Sequence, residues 1–427
     1  MRILVVGQGG REHAICWKLK QSPQVKEIYA APGNAGIAQV ADCVPIGVAD
    51  IIELADFAEK LKIDLTIIGP ELPLTLGIVD EFQKRGLTIF GPTRLAAELE
   101  GSKVFSKDFM RKYKIPTPDA TACQTVDEAR DALKSTKYPA VLKVDGLAAG
   151  KGVVVVNSKK EADQYLQLVF EEKKFGNAAT RILVEEYITG EEVSFMVITD
   201  GKRFVPLAPV KDYKKAFDGD EGPNTGGMGS HSPAVVLTSE KAAEVMRTII
   251  LPTIQGMAAK NRPYTGVLYA GLMLTKKGPT VLEYNCRFGD PETQVQMLRL
   301  DDDLAELLLK AARGNLGDTK VNWRKEAAAC VVMAVEGYPN EFQKGQEVVI
   351  DPIEDDSIVV FHAGVVKKGG KLVNTAGRVV SVCGRAATLS EALTKVYETL
   401  PKVRFEGARY RRDIGYRVLE QLATTRV

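Results

Sequence analysis

Histidine is scarce: His13, His231 and His362 are the only three in 427 residues. A zinc centre built from imidazole and thiolate has almost no raw material, so any metal should be held by oxygen. The six cysteines, Cys16, Cys43, Cys123, Cys286, Cys330 and Cys383, stand far apart without a C-x-x-C pair. That spacing argues against a disulfide frame and for reduced thiols in the cytoplasm. Long hydrophobic runs are missing too. Nothing approaches the ~18 apolar residues of a membrane helix, and the opening Ile3-Leu4-Val5-Val6 is too short for a signal-peptide core. Neither membrane insertion nor export is expected. Charge is balanced, since 57 Lys and Arg face 55 Asp and Glu for a net +2. Without a basic tail the chain lacks the footprint of a nucleic-acid binder, which leaves small anions as ligands to consider.

What is present is a chain that is 45% apolar and carries 38 Gly and 20 Pro without a low-complexity tract. Its length suits roughly two to four domains. Over the first hundred residues the β-branched runs Ile3 to Val6, Ile28 to Ala31, Leu65 to Ile68 and Thr88 to Phe90 alternate with helical patterns, which predicts a parallel sheet covered by helices. Three of these strands run into the turns Gly7-Gln8-Gly9-Gly10-Arg11, Pro32-Gly33-Asn34-Ala35-Gly36 and Gly69-Pro70-Glu71-Leu72-Pro73. Ligands on such sheets bind beyond the carboxyl ends of the strands. After a boundary near Gly91-Pro92, Ser102 should cap a helix with Phe105 and Phe109 on one face, ended by Ile115-Pro116-Thr117-Pro118. A small α/β unit follows, with helices at 126–133 and 160–170 and strands at 140–144, 153–156 and 182–185. From Ser194 longer strands are expected, interrupted by a polar loop at 212–232 and a helix near 240–258, then strands at 267–274 and 280–284. Strands and glycines from Ala327, with a helix from Leu389, predict a separate α+β domain.

Several stretches could carry chemistry. Gly7-Gln8-Gly9-Gly10 follows a strand and opens a helix, so free backbone N–H groups would favour phosphate there, and Arg11 favours an anion; a tight turn without ligand is the plainer alternative. A dinucleotide fingerprint fails, because Glu12 replaces the third glycine and no acid ends the second strand. Gly146 to Gly152 is not a Walker loop, having three residues between its first glycines and no Ser or Thr after Lys151. It reads as a glycine hairpin over phosphate oxygens, preceded by Lys143, which faces either such a phosphate or water. The acidic connector from Glu185 to Ser194 is a charged linker, or a hinge whose backbone reads adenine while Glu192 holds ribose. Glu283 and Asn285, two apart on a strand, share a face and suit Mg²⁺ bridging phosphates, with Arg287 on the same face. The long glycine-rich segment from Lys211 to Gly229 has the character of a functional loop.

In order, the helix lysine, strand lysine with glycine hairpin, acidic hinge and Glu-x-Asn resemble the ATP-grasp ligases. The stretches GQGGREHA (7–14), PGNAG (32–36), GPELPL (69–74), LKVDGLAAGKGV (142–153), GPNTGGMG (222–229), NCRFGDPET (285–293) and YRRDIG (410–415) are similar to those of the phosphoribosylamine–glycine ligase family of purine biosynthesis, from residue 2 to about 417. The resemblance implies an α/β and α+β multidomain fold. Its parts would be an N-terminal parallel-sheet domain (1–100), an ATP-grasp core (101–122 and 194–325), a small mobile lid (123–193) and a C-terminal α+β domain (326–427). It implies a cytoplasmic monomer or weak homodimer that ligates glycine to 5-phosphoribosylamine at the expense of ATP, through glycyl phosphate. Lys103 and Lys143 would then bind ATP phosphates beneath a hairpin containing Gly150 and Gly152. Glu185, Glu186 and Ile188 would line adenine, Glu192 would hold ribose, and Glu283 and Asn285 would ligate Mg²⁺ or Mn²⁺. Gly9, Gly10, Arg11 and Glu71 would receive phosphoribosylamine, while Asp212, Asn224 and Arg287, with Lys143, would serve glycine and the transferring phosphoryl group. Two departures stand out. The strand Gly266 to Met273 has no acid for a second metal, and Tyr213 stands where the family usually has histidine.

Overall fold

The computed structural model describes residues 1–147, 152–176 and 181–424. Strands β1 (Arg2–Gly7), β2 (Glu27–Pro32), β3 (Asp42–Cys43), β4 (Leu65–Ile68) and β5 (Ile89–Phe90) form one parallel sheet in the order β3-β2-β1-β4-β5. Ile3 to Val6 lie at its centre, buried on both faces, which is why this run does not alternate. One face packs on α1 (Gly10–Leu19) and the other on α2 (Ile51–Lys60) and α4 (Ile78–Lys84), with α3 (Glu71–Leu76) between the strands and α5 (Arg94–Gly101) closing the unit. Register sets Gly7 beside Pro32 and Val6 beside Ile68, so the three turns gather at the carboxyl edge as expected. The exposed two-residue β3 has no apolar signal and was not anticipated.

Helix α6 (Lys103–Lys112) starts where expected: the Ser102 hydroxyl accepts from the Phe105 N–H at 3.1 Å, and Phe105 stacks on Phe109. The lid follows as β6 (Ala120–Cys123), α7 (Val126–Ser135), β7 (Ala140–Val144), β8 (Val153–Val156), α8 (Lys159–Phe170) and β9 (Ile182–Glu186). Its antiparallel sheet, β6-β9-β7-β8, closes over a small core of its own that includes Cys123, Leu142, Leu166 and Val184.

The chain continues through β10 (Glu191–Asp200), β11 (Phe204–Pro206), β12 (Lys211–Asp212), β13 (Lys215–Phe217), β14 (Glu221–Asn224) and β15 (Gly229–Ser232). Then come α9 (Ser239–Val245), α10 (Leu251–Ala259), β16 (Thr265–Thr275), β17 (Gly278–Asn285), α11 (Glu292–Arg299) and α12 (Leu304–Ala312). The core sheet is β11-β10-β16-β17. Two expectations need correction. β10 begins at Glu191 and not at Ser194, because Glu191 and Glu192 extend the ladder against Leu274 and Met273. Residues 212–232 are not a loop, since β13 and β14 pair as a hairpin and β15 joins a C-terminal strand.

That strand is β18 (Ala327–Val335), followed by β19 (Glu347–Ile350), β20 (Ile358–His362), β21 (Val365–Lys368), β22 (Lys371–Asn374), β23 (Arg378–Ala386), α13 (Leu389–Thr399), β24 (Val403–Arg404), β25 (Ala408–Arg409) and α14 (Tyr416–Thr424). All nine residues of β18 are buried, so its backbone groups need strand partners on both edges. β15 takes one edge and β23 the other, in the order β12-β15-β18-β23-β20. The expected C-terminal α+β domain from Ala327 is present, and its main sheet also takes in two core strands, β12 and β15. α11 also escaped notice, because ETQVQMLR has no apolar period, yet all eight residues are buried. Among the described residues no helix is long and apolar enough to cross a membrane.

All three histidines are buried at domain seams. His13 of α1 accepts from the His362 backbone N–H at 2.9 Å, joining the first domain to the last. Burial holds their pKa values down, to about 3 for His13, where His362 adds to the effect, and to about 4 for His231 and His362. The folded state thus binds protons more weakly than the unfolded chain, and stability is full above pH ~6.5 and lost as pH falls toward those values. At pH 5 each histidine should cost about 2 kcal/mol. Urea unfolding should show the midpoint falling between pH 6.5 and 5, with His13→Gln flattening the slope by about one proton; a midpoint constant over that range would contradict the assignment.

Candidate active site

The site forms where the lid meets β17. A β-bulge in β17, opposite Gly271 and Leu272, breaks the strand alternation, so that Val281 and Tyr284 face the core while Glu283 and Asn285 face the cleft. Gly271 leaves room for this: a Cβ there would stand 3.2 Å from the Glu283 side chain. The Leu282 carbonyl accepts from Lys143 Nζ at 3.0 Å, which ties lid strand β7 to the core. Lys143 also pairs with Glu185 Oε1 at 2.6 Å, and Lys107 takes the other oxygen at 2.7 Å, all three side chains being buried. Glu185 is thus a carboxylate between two lysines. Burial, partly offset by Glu185, lowers the Lys107 pKa to about 8. Lys107 was missed in the sequence because it looks like any helix-surface lysine.

A second lysine that sequence reasoning missed organises the opposite wall. Lys214 Nζ lies 3.7 Å from Glu192 Oε2, 4.0 Å from Asp212 Oδ2 and 3.7 Å from Glu283 Oε1. Burial would lower its pKa, but these carboxylates more than reverse the effect and hold it well above the usual lysine value. Burial raises the Asp212 pKa against the pull of Lys214, with Glu292 adding to the rise. Ser194 Oγ bridges the group, donating to Asp212 at 3.4 Å and to Glu292 at 3.1 Å, and the Tyr269 hydroxyl donates to Glu292 at 2.6 Å. Burial pushes the Glu283 carboxyl up, yet Lys214, Lys143, Lys103 and Arg287 together keep it below the ordinary carboxylate value. The carboxylates near the cleft are therefore not equivalent.

The first domain enters through Arg287. Its Nε donates to Glu71 at 3.0 Å, and Nη2 pairs with Glu100 at 3.2 Å and approaches Asn285 Oδ1 at 3.5 Å. The expected open N–H cradle at Gly7 to Gly10 is not there. The Glu12 carboxylate accepts from the Gly9 N–H at 2.5 Å, and Asp290 accepts from the Arg11 N–H. Arg11 is itself buried, donating to Glu12 at 2.6 Å and to the Phe288 carbonyl at 3.0 Å. The helix end that would draw phosphate already carries two carboxylates of the chain.

The remaining positions fall as follows. Lys103 donates to the Gly146 carbonyl at 2.9 Å, and Asp145, beside it, accepts from Ser102 Oγ at 3.1 Å and pairs with Arg181 at 2.6 Å. Gly152 pairs its carbonyl with the Val144 N–H at 2.8 Å, whereas Gly150 lies outside the described residues. Glu186 is exposed and Ile188 half-buried in the connector from β9 to β10. Asn224 pairs with Lys215 across the hairpin, next to Lys214. Lys103, Lys143, Asp212, Glu192, Glu283 and Arg287 thus meet in one cleft, with Glu71 behind Arg287. Among the described residues no three His, Cys, Asp or Glu side chains converge as a metal site. Glu283 and Asn285 offer two hard oxygens, which fits a cation whose other ligands are phosphate and water and does not fit zinc.

The chain matches family models over nearly its full length. These are the phosphoribosylglycinamide synthetase N domain over residues 1–100, the ATP-grasp (A) domain over 101–293 and the C domain over 328–417. It is 46% identical over 423 residues to a phosphoribosylamine–glycine ligase of Vibrio vulnificus, covering 98% of this chain and 99% of the relative. Among solved structures it resembles a phosphoribosylamine–glycine ligase of Thermotoga maritima, with TM-score 0.84, 37% identity, and 97% and 100% of the two chains covered. A biotin carboxylase of Campylobacter jejuni shares the fold at TM-score 0.75 and 16% identity, with 96% and 92% covered. The three matched domains, the three-part architecture and the full-length identity agree: this chain belongs to the phosphoribosylglycinamide synthetase family of ATP-grasp ligases.

Proposed function

We propose that the chain ligates glycine to 5-phosphoribosylamine, giving glycinamide ribonucleotide, ADP and phosphate. The observation that carries this reading is the cleft in which Lys143 of the lid, Glu283 and Asn285 of the core, and the Arg287–Glu71 pair reaching the first domain face one another. ATP would lie between lid and core, its phosphates against Lys103 and Lys143. The connector bearing Glu186 and Ile188 would border adenine, and Glu192 would accept from ribose. Glu283 and Asn285 would hold Mg²⁺ or Mn²⁺, which when bound offsets charge on the phosphate chain.

A carboxylate is a poor acyl donor, so the reading has two steps. A glycine carboxylate oxygen attacks the γ-phosphorus in line and ADP leaves, while Lys143, Lys214 and Arg287 offset the moving charge. The phosphoribosylamine nitrogen then attacks the carbonyl carbon of glycyl phosphate, phosphate departs with the bonding pair, and the nitrogen loses a proton. Asp212 and Asn224 would border glycine. Glu71 would accept from the sugar, with Gly9, Gly10 and Arg11 as the floor beneath it. The lid must exclude water, because an acyl phosphate hydrolyses readily. The division into 1–100, 101–122 with 194–325, 123–193 and 326–427 follows these roles, and we infer a cytoplasmic monomer or weak homodimer acting on small molecules.

A coupled assay for ADP should show release only when glycine and freshly generated phosphoribosylamine are both present. Release with a different carboxylate and amine would instead mark another ligase of this fold. Lys143→Ala should weaken ATP binding in calorimetry by about 1.5–3 kcal/mol, the worth of a charged hydrogen bond; unchanged affinity would remove Lys143 from the phosphate site. Glu283→Gln should lower kcat by a hundredfold or more while shifting ATP affinity by less than about threefold, because its service is to charge that develops in transfer. Near-normal turnover at saturating Mg²⁺ would make the Glu283 and Asn285 pair structural.

A further inference from the structure

Lys214 and Asp212 point into the cleft, and the residue between them points the other way. Tyr213 is buried in the C-terminal core with Val331, Val380 and Ile414, and its hydroxyl accepts from the Gly415 N–H at 2.9 Å. Over its ring, 5.2 Å from the centroid, sits the guanidinium of Arg411, a side chain only 1% exposed. Arg411 donates to the carbonyl of Lys215 at 3.2 Å, pairs with Asp220 at the hairpin tip at 2.9 Å, and is held by Asp413 at 2.6 Å. It therefore grips the residues on either side of Lys214. The carbonyl of Lys214 accepts from Thr225 N at 2.7 Å and Thr225 Oγ1 at 2.8 Å, and two further bonds seal the hairpin to the same segment: Asp413 accepts from Gly219 N at 2.9 Å and Asp218 accepts from Arg412 N at 2.8 Å. At the far end Arg378 donates to the Gly226 carbonyl at 2.9 Å.

We propose that Arg411 is a positioning residue for the ligase reaction: acting through Tyr213 and Asp220, it fixes the segment from β12 to β13 that carries Asp212 and Lys214 into the cleft. A buried arginine with two carboxylates, a carbonyl and a ring leaves its guanidinium one orientation, and Tyr213 cannot rotate without leaving both the ring contact and the Gly415 N–H. The C-terminal domain then contributes to phosphoryl transfer without touching a substrate. This rests on the ligase reading above for its kinetic consequences, though not for its structural ones.

The test compares Arg411→Lys, Tyr213→Phe and the gentler surface change Asp220→Asn with the unaltered chain. Melting temperature, ATP affinity, kcat with all three substrates, and amide hydrogen exchange over 212–225 are measured. Arg411→Lys should lower kcat about tenfold or more, with ATP affinity within twofold, because the adenine side belongs to the lid. Asp220→Asn should give a smaller fall of a few-fold, and Tyr213→Phe should lie between them. Exchange in the hairpin should speed up at least tenfold in each variant, with melting little changed. In a Lys214→Met background Arg411→Lys should cost clearly less kcat than it does alone, since one of the two residues it positions is gone. Full additivity of the two changes, or unchanged exchange and turnover in Asp220→Asn and Tyr213→Phe, would overturn the proposal. Should Arg411→Lys fail to fold, those two variants decide. Should the unaltered chain release no ADP with these substrates, the ligase reading falls, and the exchange measurement alone decides the clamp.

Discussion

One ammonium group, that of Lys214, lies within 4.0 Å of carboxylates from three stretches of chain: Glu192 on β10, Asp212 on β12 and Glu283 on β17. Three such anions gathered in a half-enclosed cleft would repel one another strongly if left alone, since the field between charges grows as water is excluded. With the lysine among them, strands that approach from different directions can converge. The same balance holds the Glu283 pKa below the ordinary carboxylate value, while burial leaves that of Asp212 above it. Lys143 plays the matching part on the lid side, where its bond to the Leu282 carbonyl exists because the bulge in β17 turns that carbonyl toward it.

The domains around this cleft differ in how they are joined. The lid has a core of its own and meets the rest mainly through polar contacts, among them Lys143 to Leu282, Lys103 to Gly146 and the buried Lys107–Glu185 pair. The C-terminal domain is joined by a shared sheet instead. Its central strand β18 pairs with β15 of the core, and α11 lies between them with Gln296 donating to the Ala208 carbonyl and Arg299 to Ser232. The continuous sheet β12-β15-β18-β23-β20 ties core and C-terminal elements into one body.

The elements legible in the sequence were those whose signal is local. The β-branched runs of the first sheet, the Ser102 cap and the lid strands at 140–144 and 153–156 stand where period, cap and turn chemistry place them. Invisible were elements whose reason lies elsewhere in the chain. Nothing in Gly229-Ser230-His231-Ser232 announces a strand; it becomes one because β18 has an edge to fill. Nothing in ETQVQMLR announces a buried helix, because the partners of Glu292, Gln296 and Arg299 lie far along the chain at Ser194, Tyr269, Ala208 and Ser232. In the site, the two-residue spacing of Glu283, Asn285 and Arg287 suggested a shared face, but the face is reached through a bulge that spacing does not reveal. Lys107 and Lys214 were missed because a lysine's role depends on the carboxylates folded against it.

Glu12 shows how a resemblance in the backbone can conceal a reversal of chemistry. A strand, a glycine turn and a helix form the frame that in dinucleotide enzymes receives pyrophosphate. Here the space is filled from within. A Cβ at Gly7, Gly9 or Gly69 would collide with the side chain of Glu12, so these three glycines serve that carboxylate and not a ligand. It accepts from the Gly9 N–H and from Arg11 Nε, and Asp290 accepts from the Arg11 N–H on the other flank. A pyrophosphate brought to this turn would meet two carboxylates in place of free donors. The turn's contribution is instead to fix Arg11 near the Glu71–Arg287 pair: burial pushes the Glu71 carboxyl up, but the charges of Arg287 and then Arg11 bring it below the ordinary value. The positive end of the helix is thereby spent on orienting side chains of the cleft.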